Sequence, residues 1–531
     1  MKKVLSMSLA AALMLAALFI GCQNLDVQNQ NQPDEARALA TPGDIESLIK
    51  SSFLGWFDGH MDAEPAMGLA VISDGYSCGW GNFGMGFLGQ EPRVEFNNTS
   101  AFSRANITEA PWFNLYSAIS SATDGIRNIG SGVVTLGAAD DKRALAFAKF
   151  VQGLSHGWLS LYFDQAFIFD ENVDLTTTTL ELKPYTEVNA AAIAMLEDAI
   201  AQFNATDFTL PADWIRLRSY TSAELAQIAH SYIARYMIDV ARTPAERAAV
   251  NWAQVLTHIN AGITEDFEVN GQGTGRHEPW WSAVHWYSAD NGTWIRADYH
   301  LIGPSDKNND YADWVARAPG DRSEFIFEST DLRVWDGTLN ASGDQNPGLY
   351  FEQIGPSSGA WDNQLKTRYG NYQFDEYRYE TDAGSGVPIY RTQEHDFIRA
   401  EALLHMSGSQ AEISALLDTY HVGNGGYPST VGLPVGSITD APNPQHDKGV
   451  TTLWSVLKYE RKLELLGTSS GMEFFANRAY GDLSPRTLLH FPVPAKDLET
   501  LGFPLYSHGG TRGDVAIKSA ALPQLIPPQA Y

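Results

Sequence analysis

The sequence predicts a mainly α-helical protein: paired helices form a scaffold around a large loop-rich, aromatic-rich region with a few short strands. Three observations predict this. Apolar residues recur at helical spacing through residues 41–264 and again through 394–490. The helical stretches between 140 and 263 come in neighbouring pairs rich in alanine, which lets helix axes approach closely. Between the two helical stretches, residues 265–393 lose the pattern and fill with Gly, Asp, Asn and aromatic side chains, a length of irregular chain that is usually functional.

The elements follow in order. Lys2-Lys3, an apolar run from Leu5 to Ile20 and the small residue Gly21 describe a secretory signal over residues 1–21, too short and wrongly flanked for a membrane span. The next residue, Cys22, makes this a bacterial lipoprotein signal in which cleavage leaves a thiol for acylation, although Phe19 stands where such signals usually carry Leu, Val or Ile. Residues 22–40 are rich in Gln, Asn and Asp and form a solvated tether reaching roughly 20–25 Å. Residues 41–531 form one domain. Thr41-Pro42-Gly43-Asp44 is a capped helix start with proline at the first position, followed by Ile45, Leu48, Ile49, Phe53 and Trp56. A second helix begins near Pro111 and buries Trp112, Leu115, Tyr116, Ile119 and Ile126. A third runs from about Asp140 to Phe163, and a fourth from Thr186 through Phe203. Thr221-Ser222-Ala223-Glu224 is a capping box opening a fifth, and Pro244 starts a sixth through Ile263. These pairs suit helix–turn–helix repeats of the tetratricopeptide kind, without a strict repeat of about 34 residues. Within the loop-rich region Glu324 to Glu328 reads as a strand; helices return at Asp396–Met406, Ala411–Tyr420 and Val450–Leu466, and the proline-rich tail from Pro492 wraps the body.

Charge and cysteines narrow the function. With 36 basic and 63 acidic residues the net charge is −27, which repels phosphate backbones and anionic headgroups and argues against nucleic acid as a partner. Cys22 and Cys78 are the only cysteines, so there is neither a disulfide framework nor a thiolate metal site. The one route to a membrane is the lipid anchor.

The catalytic and metal motifs fail on context. Gly467-Thr468-Ser469-Ser470-Gly471 matches GxSxG, but a helix rather than a strand precedes it, so it reads as a helix-ending glycine turn. Gly84-Met85-Gly86-Phe87-Leu88-Gly89 matches GxGxxG, but Gln90-Glu91-Pro92 follows where a helix would be needed. Asp306, Asn308 and Asp310 alternate like an EF-hand, yet Tyr311 and Arg317 stand in place of its Gly and Glu. A structural calcium site of another design stays open; no other cofactor is expected. The 13 histidines show no HExxH spacing, and His277-Glu278 and Glu394-His395 read as surface pairs. The sequence therefore describes no enzyme.

Aromatic clustering is the stronger signal. Trp280, Trp281, Trp286, Tyr287 and Trp294 fall in one loop-like stretch, Trp80, Phe83 and Phe87 in the early glycine-rich loop, and Trp335 and Trp361 further along. Flat rings suit the apolar faces of sugars, with polar side chains fixing orientation. The candidate site is Trp80, Phe83, Trp280, Trp281, Trp286, Tyr287, Trp294, Arg296 and Trp361, with Asp74, Asn82, Arg276, Asp290 and Asn291 as further polar candidates. Against this, tryptophan is highly buried on average, so any single ring can be core.

Several segments together resemble SusD/RagB-like outer-membrane lipoproteins. Phe397-Ile398-Arg399-Ala400-Glu401-Ala402 looks like their RAEA helix, and Tyr459-Glu460-Arg461-Lys462-Leu463-Glu464-Leu465 their ERRLEL helix. Gly471, Phe474, Arg478 and Gly481-Asp482-Leu483 resemble their EGxRxxDLxR region, and His490-Phe491-Pro492-Val493-Pro494 their late HFPIP segment. Thr330-Asp331-Leu332-Arg333 and the start Cys22, Leu25-Asp26-Val27 are similar too, whereas Thr468-Ser469 stands where the family often has Phe-Glu. Arg399, Glu401, Glu460, Arg461 and Glu464 read as structural, with pairs at helical spacing. The resemblance implies a lipid-anchored, exterior-facing binding protein of the outer membrane. It would capture oligosaccharide or polysaccharide without chemistry and pass it to a SusC-like, TonB-dependent transporter. The alternatives are the same complex taking peptides or another nutrient, a lipid-anchored hydrolase, and an adhesion scaffold.

Overall fold

The structure is a computed structural model describing residues 39, 41–78, 81–174, 177–216, 218–270, 279–289, 294–354, 372–374, 386–437 and 451–511. The signal, Cys22 and the tether lie outside these residues except for Leu39, which packs against the apolar core. Helix α1 (Pro42–Met61) starts as the sequence predicts: Thr41 Oγ1 accepts from the Asp44 amide at 3.3 Å, and the Asp44 carboxylate accepts from the Thr41 amide at 3.0 Å. Helix α2 (Ala63–Ile72) follows at once and is buried along almost its whole length. Helix α3 (Asn106–Gly130) begins five residues before Pro111, which sits inside it; the expected start was too late. Helices α4 (Ala138–Tyr162), α5 (Tyr185–Ala205) and α6 (Ser222–Asp239) match the predicted elements, and the Thr221–Glu224 capping box is formed. The predicted sixth helix is broken: Pro244–Ala248 ends, Asn251 caps anew, and α7 is Trp252–Asn260. After the loop region come α8 (Thr392–His405), α9 (Gln410–His421), α10 (Leu453–Glu464) and α11 (Met472–Tyr480).

Consecutive helices pack on one another from α3 to α10, and α1 lies against α3 and α4. The close approaches run through glycine. A Cβ at Gly125 of α3 would lie 2.3 Å from Ile49 of α1, and one at Gly157 of α4 would lie 2.0 Å from the Tyr236 ring of α6. The apolar core of this half joins Ile49, Phe53 and Trp56 to Leu115, Phe147, Trp158, Leu196 and Tyr232.

The ladders among the described residues are two-stranded antiparallel ribbons. Phe267–Asn270 pairs with Gly386–Tyr390 and so pinches the base of the loop-rich excursion. Tyr76–Cys78 pairs with Ile295–Ala297 and fixes that excursion beside α2. A second core forms there, with Met67 and Ala70 of α2 against Trp281, Tyr287, Tyr299, Trp314 and Leu466. The predicted strand Glu324–Glu328 is not one; the chain there makes only an isolated bridge, Ser329 to Asp306.

Buried ion pairs bind the C-terminal helices to the rest. Arg235 of α6 grips Glu394 of α8 with two bonds of 3.0 and 2.6 Å, both side chains fully enclosed. Glu394 and His395 are therefore not a surface pair, as their sequence suggested; both are buried, and His395 lies 3.1 Å from Ser231 Oγ. Arg247 holds Glu401 through two bonds of 2.7 Å. Burial alone would raise the Glu401 carboxyl, but the Arg247 charge outweighs it and holds it well below its ordinary value. Arg333 gathers three carboxylates: Asp331 at 2.7 Å, Glu460 at 2.6 Å and Glu464 at 2.7 Å. Glu460 and Glu464 thus serve a distant arginine and not a helical neighbour. The described part of the tail wraps the body: Asn98 Nδ2 donates to the Val493 and Tyr506 carbonyls, and the Phe491 amide donates to the Tyr162 carbonyl at 2.8 Å.

Candidate functional site

The ribbon Tyr76–Cys78/Ile295–Ala297 decides how the predicted aromatic residues meet. Its register opposes Cys78 to Ile295, the residue that follows Trp294. Phe83 and Trp294 stack at 6.0 Å and 26°, and Tyr287 touches both, at 5.8 and 4.5 Å. Phe83, Trp286 and Trp294 are half-buried and keep part of their surface open.

The other predicted residues are placed differently. Trp281 and Tyr287 retain 4% and 1% of their exposure and fill the second core, so neither offers an open flat face. Trp280, at φ 70°, turns its ring onto Phe57 (5.4 Å) and Phe53 (6.0 Å) and closes the first core. Arg296 is buried in the ribbon opposite Ser77. Asp74 is buried, paired with Arg93 and accepting from Ser484 Oγ at 2.7 Å, which makes it a structural acid. Asn82 is half-buried beside Phe83. Trp335 lies in a hairpin, its indole donating to the Thr338 carbonyl at 2.7 Å. Trp80, Arg276, His277, Glu278, Asp290, Asn291 and Trp361 lie outside the described residues.

The failed motifs have structural uses. Gly467 (φ 74°) and Gly471 (φ 78°) take left-handed conformations between α10 and α11, and Ser469 between them is buried. Asp306 spends its carboxylate on the Asn308 and Tyr311 amides, at 2.9 and 2.7 Å. Among the described residues no three His, Cys, Asp or Glu side chains are placed to hold a metal ion.

Clefts elsewhere among the described residues include the following two. One, of about 280 Å³, is lined by Glu91, Arg93, His300, Arg322 and Arg486. Its charges are largely spent on each other, Arg322 on Glu91 at 2.7 Å and Arg93 on Asp74. The other is a groove of about 780 Å³ along the first turns of α3, walled by Trp112, Phe113, Tyr116, Phe167 and Phe169. The sequence reading placed Trp112 and Tyr116 in the core and passed over the groove. Its signal is Phe113, which is out of phase with the buried stripe Trp112, Leu115, Ile119 and stays 70% exposed.

No family model matches the sequence, and no curated protein does. Solved structures do. The chain is similar to a SusD superfamily protein from Bacteroides fragilis, at TM-score 0.54 and 14% identity, covering 87% of this chain and 98% of that one. A SusD superfamily protein from Bacteroides thetaiotaomicron matches at TM-score 0.53 and 14% identity, covering 87% and 96%. Surface glycan-binding protein A from Bacteroides thetaiotaomicron matches at 0.53 and 12% identity, covering 89% and 99%. The chain thus has a SusD-like, mainly helical fold, as the sequence motifs implied.

Proposed function

We propose that this protein is a surface glycan-binding lipoprotein of the outer membrane, anchored through Cys22, which captures oligosaccharide or polysaccharide without turnover and passes it to a SusC-like, TonB-dependent transporter. The observation that carries the reading is the fold, shared along nearly its whole length with a protein named for binding surface glycans. The open edges of Phe83, Trp286 and Trp294 support it, since half-exposed rings at the mouth of a loop region match the apolar faces of pyranoses. Trp80 and Trp361, which lie outside the described residues, are assigned to the same platform from the sequence alone. Tyr287 supports that platform from behind, with Trp281 packed against Tyr287.

The test is titration calorimetry of the full mature chain against a panel of neutral and acidic polysaccharides, with sugar release assayed in parallel. Binding without release is expected, and Trp294→Ala should weaken it at least about tenfold with the melting temperature little changed. Release abolished by replacing a single carboxylate would overturn the reading in favour of a hydrolase.

A further inference from the structure

The groove on α3 has a chemistry of its own. Glu109, Phe113 and Tyr116 recur at helical spacing and share one face. Tyr116 is locked: its hydroxyl accepts from the Phe167 amide at 2.6 Å and lies 3.1 Å from the Phe167 carbonyl, and its ring stacks on Phe169 at 8°. A wall fixed in this way needs no ordering when a ligand arrives. Phe113 stands beside it with most of its ring in solvent. Facing the rings, the helix Ala495–Thr500 brings Lys496, Asp497 and Thr500 to the lining. Burial raises the Asp497 carboxyl above its ordinary value against a hydrogen bond from Trp112, and the charge of Glu109 adds to the rise. The groove therefore combines flat apolar faces with hydroxyl-seeking carboxylates and has more negative than positive charge.

We infer that this groove is a second glycan-binding site, separate from the aromatic loops, taking a segment of two or three units of a neutral polysaccharide. The inference rests on the glycan-capture reading and adds a second point of contact to it. A volume of about 780 Å³ lies within the range of sites that enclose small ligands. Two carboxylates against one lysine repel uronates and sulfated sugars, while their oxygens accept from sugar hydroxyls. Two sites on one rigid body make the protein hold a polymer more tightly than its short fragments, because the second contact forms at high effective concentration.

The test uses the full mature chain as wild type, Phe113→Ala, Trp294→Ala and the double variant. The probes are amylopectin, galactomannan, xyloglucan and arabinoxylan in affinity gels, and hexasaccharides from the polymer that binds in calorimetry. Phe113 is mostly exposed, so Phe113→Ala should melt with the wild type. It should lose at least about tenfold in affinity for the polymer. The hexasaccharide bound at the loop site should stay within about twofold, and the weak hexasaccharide binding left in Trp294→Ala should vanish in the double variant. If Phe113→Ala matches the wild type on a polymer that the wild type binds, the groove is not a glycan site and capture at the loops stands. If the wild type binds none of the neutral probes, the groove inference falls, and capture at the loops is decided separately by the acidic members of the panel. If the wild type sediments as a dimer and Phe113→Ala as a monomer, the groove is a self-interface and the inference is overturned.

Discussion

From α1 to α6 the helices meet through glycine, alanine and aromatic rings, and the contact at Gly157 is a flat Tyr236 ring laid against bare backbone. From Arg235 to Glu464 buried ion pairs join the apolar packing, with guanidinium groups sealed against one to three carboxylates. The two halves therefore fail differently. An apolar seam relaxes in part around a lost or added methyl, whereas a buried charge deprived of its partner has nowhere to go. Arginine is suited to the second task because its planar fork satisfies several acceptors at once and is always charged. Arg333 illustrates this, with Tyr459 and Tyr350 completing its carboxylates through hydroxyl bonds of 2.7 Å to Asp331 and Glu464.

The largest effect is expected at Arg333. Arg333→Met should cost at least about 3–5 kcal/mol, since three carboxylates would stay buried without their cation. Urea titration measures it, and a loss below about 1 kcal/mol would erase the distinction between the halves. Gly157→Ala comes next. Alanine favours an isolated helix by about 1 kcal/mol, but here its Cβ meets the Tyr236 ring, so a net loss of about 1–3 kcal/mol is expected in the same titration. The smallest effect concerns an acid inside the apolar half. Burial and the nearby Asp62 raise the Asp58 carboxyl from 3.8 to about 7. The folded protein holds a proton there that the unfolded chain has released, so stability falls as pH rises from about 4 to 7 and stays reduced above. Asp58→Asn should accordingly raise the melting temperature at pH 8, by an amount corresponding to about 1 kcal/mol, and leave it unchanged near pH 4. A larger gain at pH 4 would contradict the assignment.

The amphipathic helices were legible in the sequence because one face of each is wet, which imprints a period. Helices α2 and α11 left no such imprint, because α2 is buried along nearly its whole length and α11 along all of it. The consequence reaches the site. Trp281 and Tyr287 are rich in aromatic surface in a segment that reads as loop, and they look exposed until α2 supplies the apolar wall they cover. Tryptophan density locates the region but not the side of the backbone on which each ring falls. Likewise Glu394 reads as a surface acid, and Glu401 and Glu460 read as structural residues with partners at helical spacing, since the arginines that enclose them lie more than a hundred residues away. Phe113 is the opposite case: its misfit with the buried stripe is a local signal, readable without the fold.

The wrapping tail also orders events in time. Val493 and Tyr506 seal Asn98, and Arg478 donates to the carbonyls of Leu161 and Asp239, so the earliest helices are closed by the latest ones. Contacts of such long sequence separation form slowly and cannot form at all on a nascent chain. The N-terminal helices stay paired but unlatched until nearly the whole polypeptide has been made, and for that interval their aromatic seams are exposed to non-native contacts.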